Sequence, residues 1–95
     1  MRNYEVGLIF HPETNPETLN ELLTKIKGWV VEAGGSVAKV DLWGKRRMAY
    51  AIRKQHDGLY AFLYAEMPNA VTSTIERNLR LTESVLRFAI IRMEA

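Results

Sequence analysis

The residues best suited to chemistry in this sequence are arginines and lysines, because such side chains bind phosphate oxygens and a guanidinium can do so with two parallel hydrogen bonds. The chain has 95 residues and a net charge of only +2, yet residues 39–54 carry six cations against one carboxylate. The six are Lys39, Lys45, Arg46, Arg47, Arg53 and Lys54. This local concentration of charge predicts binding to a polyanion such as nucleic acid. The alternative is an edge strand whose charges only discourage aggregation.

Two further arginines stand where strand ends are expected. Arg2 begins the chain's first strand and Arg92 lies near the end of its last one. We expect both to extend the same basic surface.

The sequence offers little for catalysis or for metal binding. It contains no cysteine, which excludes thiolate zinc sites and a cysteine nucleophile. His11 and His56 stand alone in expected turns, and no Gly-rich phosphate loop opens a helix. An acyl-phosphate hydrolase with a similar order of elements would need an arginine in residues 11–15, where none occurs. We therefore predict a protein that is not an enzyme and that has no cofactor, no metal and no small-molecule substrate.

Hydrophobic spacing predicts the first two elements. Apolar residues alternate over 4–10, as in a half-buried strand. Asn15 is a good helix cap and Pro16 suits the first helical position. An apolar stripe follows, and the pair Gly34 and Gly35 ends the helix because glycine adopts a left-handed conformation without steric cost.

The remaining chain is rich in strand-forming residues. Residues 36–53 predict one long strand, with a bulge or bend at Gly44. The Asp-Gly pair in 55–58 predicts a hairpin turn there. The other expected elements are strands over 59–67 and 85–93 and, between them, a helix capped by Asn69.

The order β-α-β-β-α-β predicts an α+β, ferredoxin-like split β-α-β fold. Right-handed crossovers place the first and third strands in the centre of a four-stranded antiparallel sheet, with the second and fourth at its edges. Both helices then cover one face and leave the other open. With 47% hydrophobic residues, we expect one domain over residues 1–95.

The third strand carries two competing rows of side chains. The wholly apolar row is assigned to the core, which leaves Tyr60, Phe62 and Tyr64 on the open face. On the fourth strand we expect the core to take Leu86, Phe88 and Ile90, and the open face to show Val85, Arg87, Ala89, Ile91 and Met93. Such an apolar face favours a binding platform for a protein or for stacked bases. Ordinary cross-strand packing is the alternative.

Three segments resemble a known family. They are Arg-Asn-Tyr-Glu at 2–5, Trp-Gly-Lys-Arg-Arg-Met-Ala-Tyr-Ala-Ile at 43–52, and Ile-Glu-Arg-Asn-Leu-Arg-Leu at 75–81 leading to Val-Leu-Arg at 85–87. Together they resemble ribosomal protein six of the bacterial small subunit, from about residue 2 to residue 92. One departure is Ala51, where the family usually has proline after its Ala-Tyr pair.

The resemblance implies a structural constituent of the small ribosomal subunit. Such a protein would bind the central domain of small-subunit ribosomal RNA together with small-subunit ribosomal protein eighteen, as a heterodimer, during assembly. The RNA contacts carried over are Arg2, Arg46, Arg47, Arg87 and Arg92, with Lys45, Arg53 and Lys54 next. The partner-protein surface would be the open face with Tyr60, Phe62, Tyr64, Ile91 and Met93.

Two alternatives remain at this stage. An RNA-recognition-motif protein that reads single-stranded RNA has the same order of elements, but residues 57–64 carry an acid where that motif has a base, and their aromatics fall one position late. A small homo-oligomeric enzyme or sensor that pairs its sheets through the open face is the third class.

The expected location is the cytoplasm, in association with the ribosome. Residues 1–5 lack the apolar stretch of a secretion signal. The longest apolar run, Leu59–Ala65, is far shorter than a membrane span. We therefore expect no membrane partner.

Overall fold

The computed structural model describes residues 1–93, and the last two residues of the predicted 1–95 domain lie outside the described residues. The elements are β1 (Arg2–Phe10), α1 (Pro16–Glu32), β2 (Ser36–Ile52), β3 (Gln55–Met67), α2 (Val71–Arg80) and β4 (Val85–Met93). All strand pairs are antiparallel and the sheet order is β2-β3-β1-β4. The predicted ferredoxin-like architecture is confirmed, including its central and edge strands. Within residues 1–93, no helix is both long enough and apolar enough to cross a bilayer.

The core lies between the sheet and both helices. Alternate residues of the central strands are buried: Tyr4, Val6, Leu8 and Phe10 on β1, and Ala61, Leu63, Ala65 and Met67 on β3. The helices cover them with Leu23, Ile26 and Val30 from α1 and with Ile75 and Leu79 from α2. Since all these side chains belong to one cluster, both helices occupy the same face of the sheet. No helix of residues 1–93 covers the other face.

The two ends of α1 are those that the sequence predicts. The Asn15 side chain accepts a hydrogen bond from the Thr18 amide at 2.8 Å, and Pro16 occupies the first helical position. Gly34 has a φ of 87°, which only glycine adopts without steric cost. The helix start and stop therefore follow from local sequence alone.

The predicted cap of α2 is wrong. The cap position is Ala70, which makes no capping hydrogen bond through its side chain. The side-chain oxygen of Asn69 instead accepts a hydrogen bond from the buried Tyr4 hydroxyl at 2.7 Å. A long-range contact that satisfies a buried hydroxyl thus takes the place of a local cap.

The predicted position of the β2–β3 turn is also wrong. The turn is formed by Arg53 and Lys54, with φ angles of 50° and 65°, and β3 already begins at Gln55. Gly58, which suggested a turn, lies inside β3 and is buried. A Cβ atom there would lie 2.3 Å from Ile9 Cγ2, so this glycine permits the close approach of a β1 side chain.

β2 has the predicted irregularity at Gly44. The register with β3 shifts between Leu42 and Gly44, and Gly44 has a φ of 77°. The extra residue is Trp43, which the bulge turns out of the regular alternation.

A bulge between β1 and β4 changes the start of β4. The β1–β4 register shifts between Ile9 and Phe10, so that Phe10 pairs with Val85. Val85 is buried in the core, whereas the sequence pattern placed it on the open face. The expectation for Val85 is wrong because the bulge moves it to the other side of the strand. Leu86 is buried as expected, and Phe88 and Ile90 pack against the core.

Candidate nucleic-acid interface

The open face of the sheet consists of cross-strand rows. β1 contributes Glu5, Gly7 and Ile9, which alternate with its buried residues. On one side these pair with Tyr64, Phe62 and Tyr60 of β3, and on the other with Ile91, Ala89 and Arg87 of β4. Met93 continues the face beside Asn3. All five residues predicted for the partner-protein surface therefore share one face.

A shallow apolar groove of about 230 Å³ runs along the middle of this face. Ile9 and Ala89 lie in it, and the rings of Tyr60 and Phe62 form one side. Gly7 leaves room for the Phe62 ring, since a Cβ atom there would lie 3.3 Å from Phe62 Cε1. The groove is wide enough for an apolar side chain or the edge of a base.

Trp43 extends the aromatic surface toward the β2 edge. Its ring centroid lies 4.6 Å from that of Phe62, at an interplanar angle of 52°. This side chain is half exposed, at 50%. Trp43 belongs to a segment that carries the family resemblance but was not predicted as a site residue, although its position next to the predicted bulge at Gly44 was a usable signal.

One end of the open face carries the carboxylates of Glu5 and Asp41. Asp41 forms an ion pair of 3.5 Å with Lys39 of β2, and the two residues lie beside Phe62 and Tyr64 respectively. Partial burial raises the pKa of the Tyr64 hydroxyl above its usual 10.0, and its hydrogen bond to Glu5 and the charges of Glu5 and Asp41 raise this pKa further. The neutral phenol is therefore favoured in the folded protein.

The opposite end of the open face is basic, but the predicted triplet is divided between two faces. Arg46 pairs with Gly58, on the open side of the sheet. Lys45 and Arg47 pair with Leu59 and Asp57, on the side that carries the helices. All three cations are exposed. The hairpin therefore presents positive charge on both of its faces.

Arg53 and Arg87, both predicted to bind RNA, form hydrogen bonds with residues distant in sequence. The Arg53 guanidinium donates to the backbone carbonyls of Glu83 and Val85, at 2.9 and 3.3 Å. The Arg87 guanidinium donates to the hydroxyl of Tyr50. Both contacts join the β2–β3 hairpin to the start of β4. No local sequence pattern indicates this role of Tyr50.

Arg2 and Arg92 lie at the far end of the sheet. Arg2 pairs with Met67 and Arg92 pairs with Tyr4, both on the helix side of the strands. Arg87 is five residues from Arg92, which is roughly 17 Å along a strand. The structure thus brings six of the eight predicted cations to the hairpin end and leaves these two apart from them.

Nothing in the described part of the chain resembles a metal centre. Among residues 1–93, no three His, Asp or Glu side chains meet in an arrangement that could hold a metal ion.

Comparison with known proteins decides the family. The family profile described as Ribosomal protein S6 matches residues 3–92, nearly the whole chain. The chain belongs to the ribosomal protein S6 family. The resemblance to this family that three sequence segments indicate is confirmed.

Relatives and a solved structure agree with this family. The small ribosomal subunit protein bS6 of Nocardia farcinica is 42% identical over 92 residues, which are 97% of each chain. That of Beutenbergia cavernae is 41% identical over 95 residues, 100% of this chain and 99% of the relative. The crystal structure of the 30S ribosomal protein S6 from Thermotoga maritima superposes with a TM-score of 0.91 at 28% identity, and covers 97% of this chain and 87% of that one.

Membership of the S6 family makes this chain a ribosomal protein of the small subunit and implies its association with the ribosome. The expectation of a structural component rather than an enzyme is consistent with the family.

Proposed function

We propose that this chain binds the central domain of small-subunit ribosomal RNA together with small-subunit ribosomal protein eighteen, as a heterodimer, during assembly of the subunit in the cytoplasm. The observation that carries the proposal is the combination of an uncovered apolar sheet face with cations gathered at one of its ends. Arg46 and Arg87 lie at that end, beside the groove formed by Tyr60 and Phe62.

The apolar part of the open face supports a protein partner. Ile91 and Met93 are 53% and 45% exposed, and Tyr60, Phe62 and Tyr64 are partly exposed. Contiguous apolar surface of this kind marks interaction sites in soluble proteins. We assign these five residues to the contact with protein eighteen.

The cations support contact with RNA phosphates. Contacts of this kind position a protein on RNA but specify little sequence, so shape and a protein partner must provide the selectivity. We assign the phosphate contacts at the hairpin end to Lys45, Arg46, Arg47, Lys54 and Arg87, with Arg53 treated below. Arg2 and Arg92 would contact a separate part of the RNA.

The test is the double variant Arg46→Ala/Arg47→Ala, measured for RNA binding in the presence of protein eighteen over a range of salt concentrations. Each phosphate contact that is lost should reduce the slope of log K against log salt by about 0.7–0.9. The matched control is Lys25→Ala/Lys27→Ala, which removes the same charge from the exposed side of α1. Equal slopes for the hairpin variant and the wild type would show that Arg46 and Arg47 do not contact phosphate.

A fluorescence titration without protein eighteen separates the proposal from single-stranded RNA recognition, which the aromatic side of the groove also favours. Short oligonucleotides should bind weakly and leave the tryptophan emission unchanged. Strong quenching by these oligonucleotides would favour base stacking on Phe62 and Trp43 instead.

A further inference from the structure

The β2–β3 turn holds two cationic residues in a backbone conformation that is unfavourable for residues with a Cβ atom. Arg53 and Lys54 have φ angles of 50° and 65°, in the left-handed region. A two-residue turn of this geometry favours Asn and Gly, because a Cβ atom disfavours the left-handed conformation. The backbone therefore gives no reason for arginine and lysine at these positions, and their side chains must be considered.

The Arg53 side chain is engaged within the chain. Its two terminal nitrogens donate to the carbonyls of Glu83 and Val85, 30 and 32 residues away. These bonds attach the tip of the hairpin to the beginning of β4. A guanidinium suits this contact because its rigid fork reaches two acceptors at once.

A further hydrogen bond and a close approach hold the same part of the hairpin. The Arg87 guanidinium donates to the Tyr50 hydroxyl of β2. On β3, Gly58 lies close to Ile9 of β1, since a Cβ atom there would lie 2.3 Å from Ile9 Cγ2. The hairpin is therefore held at the end of the sheet through both of its strands.

Lys54 differs from its neighbour. It is exposed, and its side chain has neither a hydrogen bond nor an ion pair with any of residues 1–93. Its backbone is nevertheless held, because Arg53 fixes the turn. A cation with a fixed backbone and a free side chain can bind a phosphate with little loss of backbone entropy.

We propose that Arg53 and Lys54 divide two roles: Arg53 is a positioning residue that clasps the hairpin to β4, and Lys54 contacts a phosphate of the bound RNA. The role of Lys54 rests on the proposed function, whereas the clasp does not. This assignment differs from the sequence prediction, in which both residues contact RNA.

The test compares two matched variants, Arg53→Asn and Lys54→Asn. Each removes one positive charge and introduces a residue that tolerates a left-handed backbone. For Lys54→Asn we expect the salt slope of RNA binding with protein eighteen to fall by about 0.7–0.9. For Arg53→Asn we expect an unchanged slope. Lys27→Gln on α1 is the control for net charge.

Hydrogen exchange of the free protein provides the second measurement. Arg53→Asn should speed exchange of the amides in residues 46–58 by roughly 5–10-fold, because the hairpin loses its two bonds to β4. Lys54→Asn should leave this protection unchanged or increase it. Arg53→Lys keeps the charge but loses the fork, so it should speed exchange as Arg53→Asn does.

The results of the two experiments decide the roles of Arg53 and Lys54 separately. An equal fall in slope for both Asn variants would assign Arg53 to phosphate, and an unchanged slope for Lys54→Asn would remove Lys54 from the interface. Unaltered exchange in both Arg53 variants would overturn the clasp. If the wild type with protein eighteen does not bind the RNA, the proposed function fails and the role of Lys54 fails with it, while hydrogen exchange still decides the role of Arg53.

Discussion

Individual charged residues divide the open face into two ends. Glu5 and Asp41 lie beside Tyr64 at one end, and Arg46 and Arg87 lie at the other. Between them the surface is apolar. A partner segment that covers this face would be stabilised by a basic group near Glu5, whereas Arg87 at the other end is assigned to an RNA phosphate.

The pKa of Tyr64 tests the electrostatic environment at the end of the open face that carries Glu5 and Asp41. Its pKa is raised above 10.0 in the folded protein, by desolvation first and then by Glu5 and Asp41. The stability associated with the neutral hydroxyl is therefore fully present below about pH 10, and is lost as the pH rises through the folded-state pKa. We expect the wild type to lose more stability than Tyr64→Phe between pH 8 and pH 11, measured by urea unfolding. Parallel losses in the two proteins would contradict the assigned environment of Tyr64.

Most elements were predictable because their signals are local. Alternation on β1 and β3, the Asn15 cap and the glycines after α1 each act within a few residues. The errors at Gly58, Asn69 and Val85 share another cause. In each case a contact with a residue distant in sequence, or a bulge that depends on the neighbouring strand, decides the geometry, and no local pattern records it.

A substitution at Gly58 tests whether the hairpin needs a glycine there to pack closely against β1. Gly58→Ala should destabilise the protein by about 1–3 kcal/mol, because the added methyl group overlaps Ile9 Cγ2 and the hairpin must move away from β1. Gly28→Ala is the matched control, since nothing lies within 4 Å of its position in α1. That change should stabilise the protein by roughly 0.5–1 kcal/mol.

Urea unfolding of the two alanine variants provides the comparison. A neutral or stabilising effect of Gly58→Ala would show that Gly58 is not required for close packing against Ile9.

The candidate site, like the elements of the fold, was predictable where a local pattern determines it. Alternation alone placed Tyr60, Phe62 and Tyr64 on the open face, and the structure confirms that placement. The contacts of Arg53 and Arg87 were not predictable, because they join residues more than 29 positions apart. From sequence, a cation that binds phosphate and a cation that binds a carbonyl of its own chain look the same.

At the scale of the whole molecule, the two faces of the sheet differ in how far they are covered. One face is covered by α1 and α2 and forms the core, in which no polar side-chain atom of residues 1–93 is buried without a partner. The other face keeps apolar side chains partly exposed and has charges at both ends. The fold is thus complete on one side only, and we propose that the second side binds protein eighteen, with the RNA at the hairpin end.

The most direct test of this account is the affinity for protein eighteen of two lysine variants, Ile91→Lys and Leu81→Lys, measured by titration calorimetry. Ile91 lies on the open face opposite Glu5, so a lysine there gains a cross-strand partner and should preserve the fold. Leu81, which is 79% exposed just after α2, is the control away from this face. We predict that Ile91→Lys weakens the heterodimer roughly tenfold or more, while Leu81→Lys binds as the wild type does. Wild-type affinity of Ile91→Lys would contradict the assignment of the open face to the partner protein.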